Sequence, residues 1–184
     1  MQTLEAINQR ASLKTRLSER DVEQEMLDKI LDAARLAPSS RNRQPWRFVV
    51  VKGKEAVEVL VSRAFSEANQ VAKQAPVIII ACAPAEDAAQ YGTAYYLFDI
   101  GMAVENMLLA ATDLGLVTHA MRGVNEDELK KILNIPPEVE FVVATPVAYP
   151  AEGSYEKAAT ERLSQRTRKD LHDLVYSNTW GKHS

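Results

Sequence analysis

The sequence predicts an α+β fold with three layers, helices packed on both sides of a central sheet. Three observations predict it. Helical and extended segments alternate irregularly, two helices precede the first strand, and no glycine-rich turn joins a strand to a helix as a doubly wound nucleotide fold requires. With 184 residues, 46% of them hydrophobic, the chain has enough apolar material for one core, and a single domain over 1–184 is expected.

The elements follow in order. Leu4 to Lys14 sets Leu4, Ile7 and Ala11 on one face, predicting a short amphipathic helix. Asp21 with Gln24 has the form of a capping box, and Val22, Met26, Ile30 and Ala33 recur at helical spacing until Pro38 ends the segment. Phe48 to Val51 is β-branched and apolar, hence a strand. A helix through Val57, Leu60, Val61 and Ala64 follows. Pro76 to Cys82 is apolar on alternate and intervening positions alike, which predicts a central strand covered on both faces. Tyr95 to Leu114 approaches membrane-span length, but Asp99, Glu105, Asn106 and Asp113 interrupt it, so a buried core helix is expected. Leu116 to Met121 is expected as a strand. Asn125 with Glu128 should cap a helix through Leu129, Ile132 and Leu133, and Phe141 to Tyr149 forms another strand. After Gly153 the apolar rhythm is lost and the chain turns basic around Arg162, Arg166, Arg168 and Lys169.

Composition and residue inventory remove several classes of function. Twenty-two basic against 25 acidic residues leave a net charge of −3, so no global field draws the chain to nucleic acid. Neither a nucleic-acid nor a membrane partner is expected. One cysteine cannot form an internal disulfide, and Glu5 and Arg10 interrupt any apolar leader, so a cytoplasmic setting is expected. The seven glycines form no G-x-G-x-x-G or G-K-[ST] loop. His119, His172 and His183 are scattered, which argues against a metal site. No G-x-S-x-G elbow marks a hydrolytic nucleophile, and no catalytic side chain is assigned.

Four pieces carry chemistry. Arg10-Ala11-Ser12-Leu13-Lys14 alternates cation, hydroxyl and cation, a set that can gather around one phosphate, although a solvated helix face would have the same composition. Ala37 to Trp46 packs Ser39, Ser40, Asn42 and Gln44 between two prolines, offering donors and acceptors for a planar heterocycle or simply a polar connector. Leu114 to Gly123 runs from a glycine-terminated helix into a strand whose closing glycine lets backbone approach a ligand. Arg166-Thr167-Arg168-Lys169 is a late cationic run.

Together these pieces resemble the nitroreductase family of enzymes that use flavin mononucleotide (FMN). The most specific match is Ala33 to Ser40, then Asn42, Gln44-Pro45-Trp46 and Phe48, and the order of all four pieces agrees over nearly the whole chain. The resemblance implies a three-layer fold around a mostly antiparallel sheet, a homodimer with composite flavin sites, and reduction of nitroaromatics, quinones or related compounds by NADH or NADPH in ping-pong order. A flavin-binding storage or sensing module without turnover is the alternative.

It also implies roles. Arg10 and Ser12 would hold the flavin phosphate with Arg166 and Arg168, and Lys14 would reach the pyrimidine end of the ring. Pro38, Ser39, Ser40, Asn42 and Gln44 would lie along a flavin bound mainly by the other subunit. Met121, Arg122 and Gly123 would face the ring, and Asn69, or Lys73 in its place, would contact its polar edge. The chain departs from the family pattern at Val117, at Thr118-His119-Ala120 and at Arg122, where an acidic residue is common; these positions border the active face.

Overall fold

The computed structural model describes residues 1–12, 15–84, 94–153 and 155–182. Strands β1 (Arg47–Lys52), β2 (Val77–Pro84), β3 (Val117–Thr118) and β4 (Val139–Ala148) form one sheet in the order β1-β2-β4-β3. Every pairing is antiparallel, with Val49 opposite Ile80 and Ile79 opposite Thr145. The helices are α1 (Thr3–Gln9), α2 (Gln24–Arg35), α3 (Lys54–Ala64), α4 (Tyr96–Asp113), α5 (Glu126–Leu133), α6 (Tyr155–Ser164) and α7 (Leu171–Leu174).

The alternation of side chains along β2 builds the three layers. Val77, Ile79, Ala81 and Ala83 join one cluster with Leu27, Ile30 and Ala34 of α2 and Ile100, Ala103 and Met107 of α4. Ile78, Ile80 and Cys82 point the other way, into Val57, Leu60 and Val61 of α3 and Leu129 of α5. A strand that buries both faces must be apolar throughout, and the expected central strand is confirmed. Among the described residues no helix is long and apolar enough to cross a membrane.

Several expected boundaries move. The first helix stops at Gln9 rather than Lys14, because Arg10 turns extended and its carbonyl accepts from the Arg166 guanidinium at 2.7 Å. Only Ala6 of this helix is buried; Leu4 and Ile7 are exposed. The capping box at Asp21 and Gln24 does not form. Glu23 is the N-cap of α2, and its carboxylate is taken by Arg20 and the Tyr149 hydroxyl instead. The strand expected over Leu116–Met121 is only two residues long, after which Met121 returns to the sheet as a single bridge to Ala144. A 3₁₀ segment over Glu67–Gln74 and helix α6 were not expected from the pattern. The Asn125 cap does form, its side chain accepting from the Glu128 amide at 3.1 Å.

Candidate functional site

The N- and C-terminal limbs of the chain meet to enclose a cationic cavity of about 230 Å³. Arg10, Ala11 and Ser12 line one side; Arg162 and the run from Gln165 to Arg168 line the other. Two fastenings bring them together. Leu17 bridges Pro150, and the Ser18 amide donates to the Tyr149 carbonyl, so both limbs leave the sheet from one point. Arg166 then reaches across to the Arg10 carbonyl.

The cavity is short of negative charge. Among the described residues the one carboxylate ion-paired with its four arginines is Glu105 of α4, 3.5 Å from Arg10 Nε. That nitrogen is buried and makes no hydrogen bond. Burial, and then the adjacent Arg168 and Arg10 cations, lower the Arg166 guanidinium below its usual range. Arg10 Nη1 lies 3.5 Å from Ser12 Oγ. Cations held together in excess of counter-charge, with a hydroxyl among them, suit a tetrahedral oxyanion.

The loop after α2 is a separate, stiff feature. Arg41, Asn42 and Gln44 all take positive φ, at 51°, 55° and 52°, a conformation that costs a non-glycine residue about 1 kcal/mol or more. Side chains hold it there. Ser39 Oγ accepts from the Gln44 amide at 2.9 Å, Gln44 Nε2 donates to the Asn42 carbonyl at 3.1 Å, and buried Asp99 accepts from the Ser40 amide at 3.1 Å. Strain maintained by such a network is a mark of a functional segment.

A third cluster surrounds Gly123. Its carbonyl accepts from the Ser66 amide and from Asn69 Nδ2, each at 3.0 Å. A β-carbon at Gly123 would stand 2.8 Å from both Asn69 Nδ2 and Ser66 Oγ, so only glycine fits without movement. Arg122 is exposed, pairs with Glu126 at 3.3 Å and lies 4.7 Å over the Phe141 ring. His119 lines a small cleft with Leu17, Val71 and Met121.

Arg10, Ser12, Arg166 and Arg168 therefore come together, as do Asn69, Met121, Arg122 and Gly123. Pro38, Ser39, Ser40, Asn42 and Gln44 share the strained loop, which does not line the cationic cavity. Lys14 and His183 lie outside the described residues. Arg162 and Gln165 belong to the cavity although neither was given a role in the sequence, and Thr167 joins them from within the late cationic run; the i, i+4 spacing of Arg162 and Arg166 was the available signal. Cys82 is buried, and burial pushes its thiol up to about 11, an inert core group. No cluster of three metal-ligating side chains exists among the described residues.

Comparison with known proteins shows the family. A relative from Methanothermobacter thermautotrophicus, named "Putative NADH dehydrogenase/NAD(P)H nitroreductase", is 35% identical over 157 residues, covering 83% of this chain and 79% of its own. An "Iodotyrosine deiodinase" of Haliscomenobacter hydrossis is 30% identical over 167 residues, covering 74% of each. A crystal structure from Desulfovibrio desulfuricans, of a "putative nitroreductase in complex with fmn", superposes with a TM-score of 0.80 at 26% identity over 98% of both chains. The sequence profile described as the nitroreductase family matches residues 7–74 and 66–149. The mixed fold, its antiparallel sheet and this match agree: the chain belongs to the nitroreductase family.

Proposed function

We propose that this chain is an FMN-dependent oxidoreductase that draws on NADH or NADPH and reduces nitroaromatics, quinones or related electron-poor compounds in ping-pong order. The observation that carries the reading is the cationic cavity. A phosphomonoester bears nearly two negative charges at neutral pH, and the donors gathered there, with Arg10 Nε lacking a hydrogen bond, fit such a group. Bound FMN would supply the two-electron chemistry, which no side chain of the protein can perform.

The residues would bind and orient. Arg10, Ser12, Arg166 and Arg168 hold the phosphate, each charge-assisted contact being worth roughly 1.5–3 kcal/mol before discount for solvent. The Pro38–Gln44 loop presents its groups in one fixed arrangement, and Met121, Arg122 and Gly123 offer backbone to the ring. Lys14 would reach the pyrimidine end of the ring, and Asn69, or Lys73 in its place, its polar edge; the Asn69 amide nitrogen is tied to the Gly123 carbonyl. The working unit would be a homodimer, because α1, α2 and α4 together leave Leu4, Ile7, Leu36, Leu97 and Phe98 exposed on one chain. The partner's copy of the strained loop would complete each site.

The test is direct. The purified protein should be yellow and release FMN on denaturation. NADH or NADPH under nitrogen should bleach it, and a nitroaromatic should restore the colour. Release of the adenine dinucleotide as the main flavin refutes the assignment; failure to bleach with either nucleotide favours a storage module. The deiodinase relative supports a second reading, reductive dehalogenation, which iodide release from iodotyrosine under reducing conditions would favour.

A further inference from the structure

We infer that Arg162 is a phosphate-binding residue of this site, additional to Arg10, Ser12, Arg166 and Arg168; the inference rests on the FMN reading. Arg162 stands in the last turn of α6, with Gln165 and Arg166 continuing that turn through backbone bonds to Glu161 and Leu163. It lines the same cavity as Arg166. Two like charges four residues apart oppose helix formation, and this helix has no buried residue to offset the repulsion.

No carboxylate among the described residues pairs with Arg162. Among the described residues it makes no ion pair and no hydrogen bond, whereas Arg166 is tied to the Arg10 carbonyl and Arg168 to the Thr167 carbonyl. The guanidinium with no internal partner is thus the one most available to an incoming anion. A cation at a helix C-terminus also interacts favourably with the helix dipole, which gives the competing, purely structural role. That role would show in the stability of the apoprotein and would be indifferent to a ligand's phosphate.

Riboflavin separates the two, because it has the ring of FMN without the phosphate. Apoprotein of the wild type, Arg162→Ala and Arg162→Gln would be titrated with FMN and with riboflavin, and thermal unfolding of each apoprotein followed by circular dichroism. Both substitutions should raise the FMN dissociation constant by about three- to tenfold, discounted for an exposed group, and leave riboflavin affinity unchanged. The effect should fade as salt is added. An unchanged FMN constant overturns the inference, as does an equal loss for both flavins. Wild-type protein that binds FMN no more tightly than riboflavin would instead refute the phosphate-site reading beneath it.

Discussion

Gly123→Ala tests how tightly the third cluster is built. The φ of Gly123 is not in the left-handed region, so the backbone itself permits alanine, and the whole cost must come from contact. The new methyl would sit 2.8 Å from Asn69 Nδ2 and 2.8 Å from Ser66 Oγ. Ser66 is exposed and its hydroxyl can rotate away. Asn69 is only 5% exposed, and its amide is spent on the Gly123 carbonyl, so moving it breaks a buried hydrogen bond. Overpacking of this sort costs about 2 kcal/mol, less about 0.5 kcal/mol that alanine recovers by restricting the unfolded chain. The net loss of roughly 1.5 kcal/mol should lower the midpoint of thermal unfolding by about 3–6 °C for a chain of this size.

A double-mutant cycle identifies the source. Asn69→Ala alone should cost about 1–2 kcal/mol, since it removes one hydrogen bond while the Ser66 amide keeps the Gly123 carbonyl satisfied. In that background Gly123→Ala should become neutral or slightly stabilising, a coupling of about 1.5 kcal/mol or more. Circular dichroism of flavin-free protein is the assay. Equal cost of Gly123→Ala in both backgrounds, or no cost in the wild type, would refute the packing described here.

Two further outcomes are expected. Arg10→Ala and Arg168→Ala should each weaken FMN binding by about tenfold, and the losses should shrink at high salt; losses that ignore salt would place both residues outside the phosphate site. The Glu23 carboxyl, held down to about 2 chiefly by the Tyr149 hydroxyl, has a folded pKa below its ordinary 4.5. It therefore contributes stability that is complete above that value and is lost as pH falls toward 2. Tyr149→Phe should be less stable than the wild type in urea at pH 7, with the gap narrowing as pH falls from 4.5 toward 2; a gap that does not vary with pH would remove the linkage.

Burial decided which parts of this structure could be recognised in the sequence. Strand β2 and helices α3 and α4 press apolar side chains into the two cores, so the expected cores of these elements hold. Helix α6 buries nothing, and a helix without an apolar face leaves no period to detect. The 3₁₀ segment over Glu67–Gln74 repeats too tightly for the helical template, although it carries Asn69 to the Gly123 carbonyl and Gln70 to the Val61 and Phe65 carbonyls at the end of α3. The capping box failed because the helix begins later, with Glu23 as its N-cap, and the Gln24 side chain is taken by Lys52, 28 positions away, and by Asp28. The candidate site was legible where its residue types are unusual, in the amide-rich loop and the paired cations that the fold brings to Arg10. Arg162 was hidden because an arginine in a charged helix is ordinary until the fold turns it toward three others.

The position of the cavity in the chain bears on how it forms. Its two walls are separated by some 150 residues, the Arg166–Arg10 bond spanning 156, and they are held near each other by the β4 pairing and the Leu17–Pro150 bridge. Clustering four guanidiniums there opposes closure, while the backbone bonds at Ser18 and Arg10 favour it. An anion that binds only the closed arrangement shifts this balance by mass action, by about 2.7 kcal/mol at a hundred times its dissociation constant. Cofactor capture and the joining of the chain's two limbs are in that sense one equilibrium. If the cavity is the phosphate site proposed above, the cationic excess that opposes closure would also be the source of its affinity for the anion.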